Sequence, residues 1–201
     1  MNKNKLIILG IIAIAIGFIV AYSLGGSDEF YSKQINEARD RYFQQLKFGK
    51  DSPIKDQKEF ESLTYYNVKA NYRVTSEVQL IKSKDVILLQ TSANDSISYR
   101  KFAFLNFDLN SHQCQLTLFQ NTTDETDFFL PFTDETNGLE SYGAGRYLPI
   151  NYRGGKNIEL DFNRAFNPYC AYNAAYSCPI PPKENHLALP VEAGEKAYQK
   201  Y

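Results

Sequence analysis

The spacing of apolar residues changes character twice along this chain. From Leu6 to Leu24, "LIILGIIAIAIGFIVAYSL", there is no period, only 19 uncharged and almost wholly apolar residues. A helix of that length rises about 1.5 Å per residue and comes close to the ~30 Å thickness of a bilayer core. No polar face interrupts the run, which argues against a helix packed on a soluble core. Lys3 and Lys5 precede it and Asp28 and Glu29 follow it. That charge order predicts a single-pass membrane anchor with a cytoplasmic N-terminus and an extracytoplasmic remainder. A cleaved signal peptide is the alternative and would release a secreted or periplasmic product. Signal h-regions usually run about 7–15 residues to an A-x-A-like site; this run is longer and no clean A-x-A follows it, although "AYSLGG" offers small residues. No cysteine stands directly after the run, which excludes a lipoprotein anchor.

Beyond the Gly25-Gly26 break the period becomes helical. Tyr31, Ile35, Ala38, Tyr42 and Leu46 fall on one face, with charged residues opposite. Ser27 is a suitable N-cap, Asp28 and Glu29 suit a first turn, and Gly49 suits a stop. "DSPIKDQKEFESL" predicts a second, shorter helix, with Asp56 and Glu59 spaced as a capping box and Phe60 and Leu63 inward.

From Tyr72 the period becomes two. "YRVTSEVQL", "VILLQTS", "KFAFLNFDL", "CQLTLFQN" and "DFFLPF" are runs of strand length separated by turn-forming clusters. "DLNSHQ" predicts a hairpin, and Gly154-Gly155 between "RYLPINYR" and "KNIELDFN" predicts another. Strands without intervening helices point to a mainly β fold, an antiparallel sandwich or barrel-like sheet, with one or two N-terminal helices after the transmembrane helix. An α+β arrangement is the alternative. The expected organisation is a cytoplasmic N-terminus at 1–5, the anchor or signal peptide at 6–24, a juxtamembrane helix at 25–50 and a β-rich domain at 51–201.

Composition narrows the partners. Lys and Arg total 22 against 23 Asp and Glu, and no basic run exceeds two residues. Nucleic acid is therefore not an expected partner, since phosphate binding needs a concentrated basic surface. With 15 Tyr and 14 Phe the chain can fill a sizeable core.

Candidate chemistry is sparse. His112 and His186 are the only histidines, one in a predicted turn and one in a polar tail, and no G-x-S-x-G elbow is present. The three cysteines show neither C-x-x-C nor paired-histidine spacing, so no metal site and no cofactor is expected. "DETNGLE" lacks the alternating carboxylates of a calcium loop and predicts a turn at Asn137-Gly138. "YGAGRYL" has a G-x-G without the third glycine of a phosphate loop. Arg146 within it either clamps a carboxylate or phosphate, or braces Asp134, Glu140 or Asp161. After "LDFN", Asn167-Pro168 starts a turn, and Pro179, Pro181 and Pro182 force an extended path. Cys170 and Cys178 span this loop, as a disulfide staple, buried thiols or a reactive pair.

Two blocks, "LPFTDETNGLESYGAGRYL" and "LDFNRAFNPYCAYNAAYSCPIPPKENHL", followed by "AGEK", closely resemble bacterial domain-of-unknown-function family 1684. "SPIKDQKEFESLTYYNVKANYRV" resembles the family more loosely. The family has no established activity to carry over. The resemblance marks Asp134, Asn137, Gly138, Glu140, Tyr142, Gly143, Gly145 and Arg146 in the first block. In the second it marks Asp161, Asn163, Asn167, Cys170, Tyr172, Cys178 and Asn185 among others. Ser141 stands where the family usually has threonine, and Phe166 where it usually has tyrosine; a chemical role for that tyrosine hydroxyl is not available here.

Three readings follow. The first is a membrane-held module binding a small polar ligand or a partner through Asp134, Asn137, Glu140, Tyr142, Arg146, Asp161, Asn163, Asn167, Tyr172, Glu184 and Asn185, a few polar groups among aromatic rings. The second is a hydrolase-type enzyme with Glu140 and Asp161 as acid and base. The third is structural: the motif only closes the fold.

Overall fold

The computed structural model describes residues 28–83 and 85–198. The apolar run Leu6–Leu24 and the expected cap Ser27 lie outside the described residues. Among the described residues no helix is long and apolar enough to cross a membrane.

The helix α1, residues 28–48, follows its predicted face. Tyr31, Ile35 and Leu46 are buried, Ala38 and Tyr42 half-buried, and the opposite face is exposed. Gly49 ends it by donating to Gln45 O at 2.8 Å; a side chain there would meet that carbonyl at 2.3 Å. The second predicted helix does not form. Asp56 does cap one turn, accepting from Lys58 N at 2.9 Å, but Ser52 bonds back to Leu46 O and takes Ile54 N. Lys47 reaches Phe60 O at 2.7 Å. Side chains satisfy the backbone locally, which competes with a helical ladder. Phe60 is buried in this segment and stacked on Phe43, with Pro53 buried as well.

Among the described residues eight strands follow: β1 (Arg73–Leu80), β2 (Val86–Gln90), β3 (Ser96–Leu109), β4 (His112–Asn121), β5 (Phe128–Asp134), β6 (Arg146–Leu148), β7 (Asn157–Asp161) and β8 (His186–Leu187). They form one sheet in the order β6-β5-β4-β3-β1-β7, with β2 on β3 and β8 parallel to β5. The sheet is otherwise antiparallel and curls into a half-barrel, not a two-sheet sandwich. The 14-residue β3 carries the curl: a bulge between Lys101 and Ala103 bends it, so β2 pairs with its first half and β1 with its second. Asn110 and Ser111 take positive φ at the predicted β3–β4 hairpin.

The second predicted hairpin is corrected. Gly154 and Gly155 do turn the chain with φ of 94° and 112°. But β6 pairs with β5, and β7 pairs with β1 over Arg73↔Asp161 to Glu77↔Asn157, at the other end of the sheet. Past β7 the chain crosses back to β6, where Tyr147 and Phe166 exchange two backbone hydrogen bonds of 2.9 and 3.0 Å. That crossing links the two end strands.

Ala103, Leu105, Phe107 and Leu109 point from β3 into the concave face, where they meet Leu116, Leu118, Leu130, Phe132 and Leu160. The C-terminal segment, expected to be a polar tail, fills that concavity. Leu187, Leu189, Val191 and Ala193 alternate inward at 0–6% exposure, so the segment is an extended strap through the core.

Candidate functional site

The first family-like block builds a buried lock. Asp134 ends β5 and Arg146 begins β6, and their side chains pair at 2.8 Å with no solvent exposure. Arg146 also donates to the strap carbonyls of Val191 (2.9 Å), Ala193 (2.5 Å) and Glu195 (3.2 Å). The other Asp134 oxygen accepts from Thr136 N, Thr136 Oγ1 and Val191 N. Removing one partner of such a pair would strand the other charge in the core. Asn137 holds the intervening loop, accepting from Asp134 N at 2.6 Å and donating to Tyr142 O and Ser141 Oγ. Ser141 is in hydroxyl contact with Thr136 at 2.8 Å, a bond that threonine would also make. Gly145, at φ 95°, leaves 2.7 Å between a notional Cβ and Phe132 O, so no larger residue fits.

The second block ties the strap and α1 to the sheet. Asp161 accepts from Tyr31 of α1 at 2.8 Å, and burial together with that carboxylate pushes the Tyr31 hydroxyl well above its ordinary range. Asn163, fully buried, spends its amide on Lys69 N, Lys69 O, Tyr31 and Asp161. Asn167 donates to both oxygens of Glu195 at 2.9 Å, and Tyr172 donates to the same carboxylate. Asn185 accepts from Thr117 N at 2.8 Å and donates to Thr117 O and Pro131 O at 2.9 and 2.7 Å.

The candidates therefore do not converge. Glu140 is exposed, taking Tyr66 at 3.2 Å and Lys196 at 3.5 Å, whereas Asp161 belongs to the Tyr31–Asn163 cluster. The two border different concavities. Glu184 pairs with Lys101 at 2.8 Å on the surface. His112 is exposed at the start of β4 and His186 is exposed beside Glu135.

Sequence reasoning missed Glu195. Its carboxyl is fully buried; burial pushes it up, the Tyr172 and Asn167 hydrogen bonds and Arg146 pull it down, and it settles at about 7. The one sign was an acidic residue inside "AGEK", after the alternating run "LALPVEA". Tyr42, Tyr65 and Tyr172 gather round it, all raised far above the usual phenol range by burial and then by its charge. Tyr65 Oη and Asn167 Oδ1 are buried without partners among the described residues.

One concavity stands out beside this cluster. Between α1 and residues 163–166 lies a cleft of about 380 Å³. Its floor is apolar, from Ile35, Ala38, Pro149, Ala165 and Phe166, with the rings of Tyr42 and Tyr65. Phe166 packs against Tyr42 and Tyr147 and supplies a wall. Arg39, Arg41 and Arg164 rim it. Arg39 lies 4.4 Å over the Tyr65 ring and donates to Tyr66 O and Asn163 O, its basicity lowered by burial, while its Nε has no partner among the described residues. Arg41 is exposed, its side chain 4.0 Å from Glu37. Arg164 is exposed and makes no ion pair among the described residues. Of the residues expected to bind ligand, only Asn163 lines this cleft. The arginines were invisible as a group, being brought together from α1 and the segment after β7.

Cys170 and Cys178 do meet. Cys170 N donates to Cys178 Sγ at 3.2 Å, and both are free thiols rather than a disulfide. Cys114 lies apart, on β4.

Comparison with known proteins bears on this geometry. A family model described as "Protein of unknown function (DUF1684)" matches residues 58–196. The solution NMR structure of an uncharacterized protein from Haloarcula marismortui is 34% identical, with a TM-score of 0.67 over 85% of this chain and 96% of that one. No curated protein matches the sequence.

Proposed function

The chain belongs to the DUF1684 family of proteins of unknown function, and we propose that it is a small-ligand-binding module whose site is the cleft between α1 and residues 163–166. The ligand class that fits is a small organic anion with an apolar body. One observation carries the reading: an apolar cleft of about 380 Å³ rimmed by three arginines, one of them, Arg164, without an ion pair among the described residues. Ligand sites are commonly clefts of about 300–1,000 Å³, apolar with a few oriented polar groups. Arginine suits the role because its planar fork matches carboxylate and phosphate oxygens. The Asp134–Arg146 pair, by contrast, is closed to solvent and its two terminal guanidinium nitrogens are already bonded to Asp134 and the strap, which makes it a fold lock and no clamp.

Octanoate is a suitable probe. Titration calorimetry should find saturable binding of octanoate and none of octylamine, which has the same chain and the opposite charge. Arg164→Glu should weaken octanoate binding at least about ten-fold, equivalent to ~1.4 kcal/mol. Ala38→Trp should abolish it by filling the floor. Binding indifferent to both substitutions would remove the site from the cleft. Absence of any carboxylate or phosphate binding in the parent protein would end the reading.

The run Leu6–Leu24 supports a bilayer tether for this module. Carbonate extraction of membranes from cells making the full-length chain tests it; uncleaved product in the soluble fraction would reject the tether.

A further inference from the structure

We propose that Cys170 and Cys178 are a hydroperoxide-reactive pair, with Cys170 the attacking thiolate and Cys178 the thiol that resolves it into a disulfide. Three observations carry this. The pair is in contact across the loop, with Cys170 N donating to Cys178 Sγ at 3.2 Å. Access is unequal: Cys170 is half-buried and reaches the surface, whereas Cys178 is 8% exposed. Cys170 also has hydroxyl company, with Tyr142 Oη at 3.8 Å. The loop holding them is fixed at its far end to the β2–β3 turn by Ser92 N to Cys178 O (2.9 Å) and Cys178 N to Ser92 Oγ (3.1 Å). The charge distribution agrees: the hydrogen bond from Cys178, with help from Tyr142 and Ser92, lowers Cys170, while the same bond raises Cys178. Burial raises Cys114 instead.

The chemistry closes. The Cys170 thiolate attacks a peroxide oxygen, the O–O bond breaks, and the departing alkoxide or hydroxide takes a proton, leaving a sulfenic acid and an alcohol or water. The Cys178 sulfur then displaces hydroxide from Cys170, and the thiol proton converts that hydroxide to water. Two thiols are oxidised by two electrons in total and one hydroperoxide is reduced. This site is separate from the cleft, so its test stands or falls independently of ligand binding.

The experiment treats the full chain with hydrogen peroxide and maps the products by mass spectrometry. A loss of two hydrogens, localised to a Cys170–Cys178 linked peptide pair and reversed by dithiothreitol, is expected. In Cys178→Ser the intermediate should persist and be trapped by dimedone on Cys170; in Cys170→Ser no adduct and no linkage should appear. Before oxidation, iodoacetamide at pH 7 should label Cys170 about ten-fold faster than Cys114 in the parent protein. Equal labelling of the two, or peroxide adding oxygen to Cys170 with no linkage to Cys178, would overturn the proposal. Both readouts on the parent protein are decisive even if a variant misfolds.

Discussion

Glu195 keeps a carboxyl group out of water with no cation among the described residues bonded to it, and that has a pH signature. Its carboxyl lies near 7 in the folded chain against 4.5 as an ordinary glutamate. Between those values the folded chain retains a proton that the unfolded chain has released. The stabilising contribution is therefore complete below pH 4.5 and is lost as pH rises through about 7. At ~1.4 kcal/mol per unit the swing is on the order of 3 kcal/mol. Urea unfolding of the parent protein and Glu195→Gln from pH 4 to 8 should show the parent losing about that much relative to the variant; a constant difference would clear Glu195 of the role. The Asp134–Arg146 pair behaves oppositely to a surface ion pair. Asp134→Ala leaves a buried guanidinium unmatched and should cost about 3–5 kcal/mol in the same assay, whereas Glu184→Ala, facing Lys101 on the surface, should cost under about 1 kcal/mol.

At the scale of elements, the sheet depends on a side chain acting as a piece of strand. β4 and β5 pair only at Phe119↔Phe129 and Gln120↔Phe128. Pro131, in mid-β5, has no N–H to give, and beyond it the strands are joined by the Asn185 amide. Asn185→Ala would leave Thr117 N, Thr117 O and Pro131 O unpaired in a dry place, each worth about 1–3 kcal/mol. A loss of at least about 3 kcal/mol is expected, with faster amide exchange at Thr117. Helix α1 was legible because its apolar spacing matches the helical period over five positions, each now at least half-buried. The segment 51–63 was misread because a capping signal specifies one turn, and here Ser52 and Lys47 competed for the rest. Gly154-Gly155 announced a turn and it was one, but strand partners depend on which edges lie free, and β1 offered a five-residue register to β7.

For the whole molecule, aromatic rings connect the sheet to the cleft. Tyr99 stacks on Phe129 at 5.1 Å, Phe129 meets Tyr147 at 4.7 Å, Tyr147 meets Phe166 at 5.9 Å, and Phe166 meets Tyr42 of α1 at 5.5 Å. Occupation of the cleft should therefore stabilise the chain as a unit, since a ligand there would touch both α1 and the crossing that links β6 and β7. At one hundred times its dissociation constant, octanoate should add ~2.7 kcal/mol. For a chain of this size that is a rise in Tm of about 5–10 °C. The same concentration should leave Ala38→Trp unmoved. A shift preserved in that variant would mean that octanoate acts elsewhere.

The amino-acid order alone determined the mainly β body, the amphipathic helix before it, the first hairpin and the family, because each rests on local periodicity or on an ordered string of residues. It also drew attention to Asp134, Arg146, Asn163, Asn167 and Asn185, but not to what they do. Only the tertiary structure decided that these are locks and splices inside the fold, that Glu195 is buried among tyrosines, and that the strap fills the half-barrel. The physical reason is that satisfaction of a buried polar group depends on partners far away in sequence: Arg146 is completed by carbonyls at Val191, Ala193 and Glu195, and no spacing rule within either segment encodes that meeting.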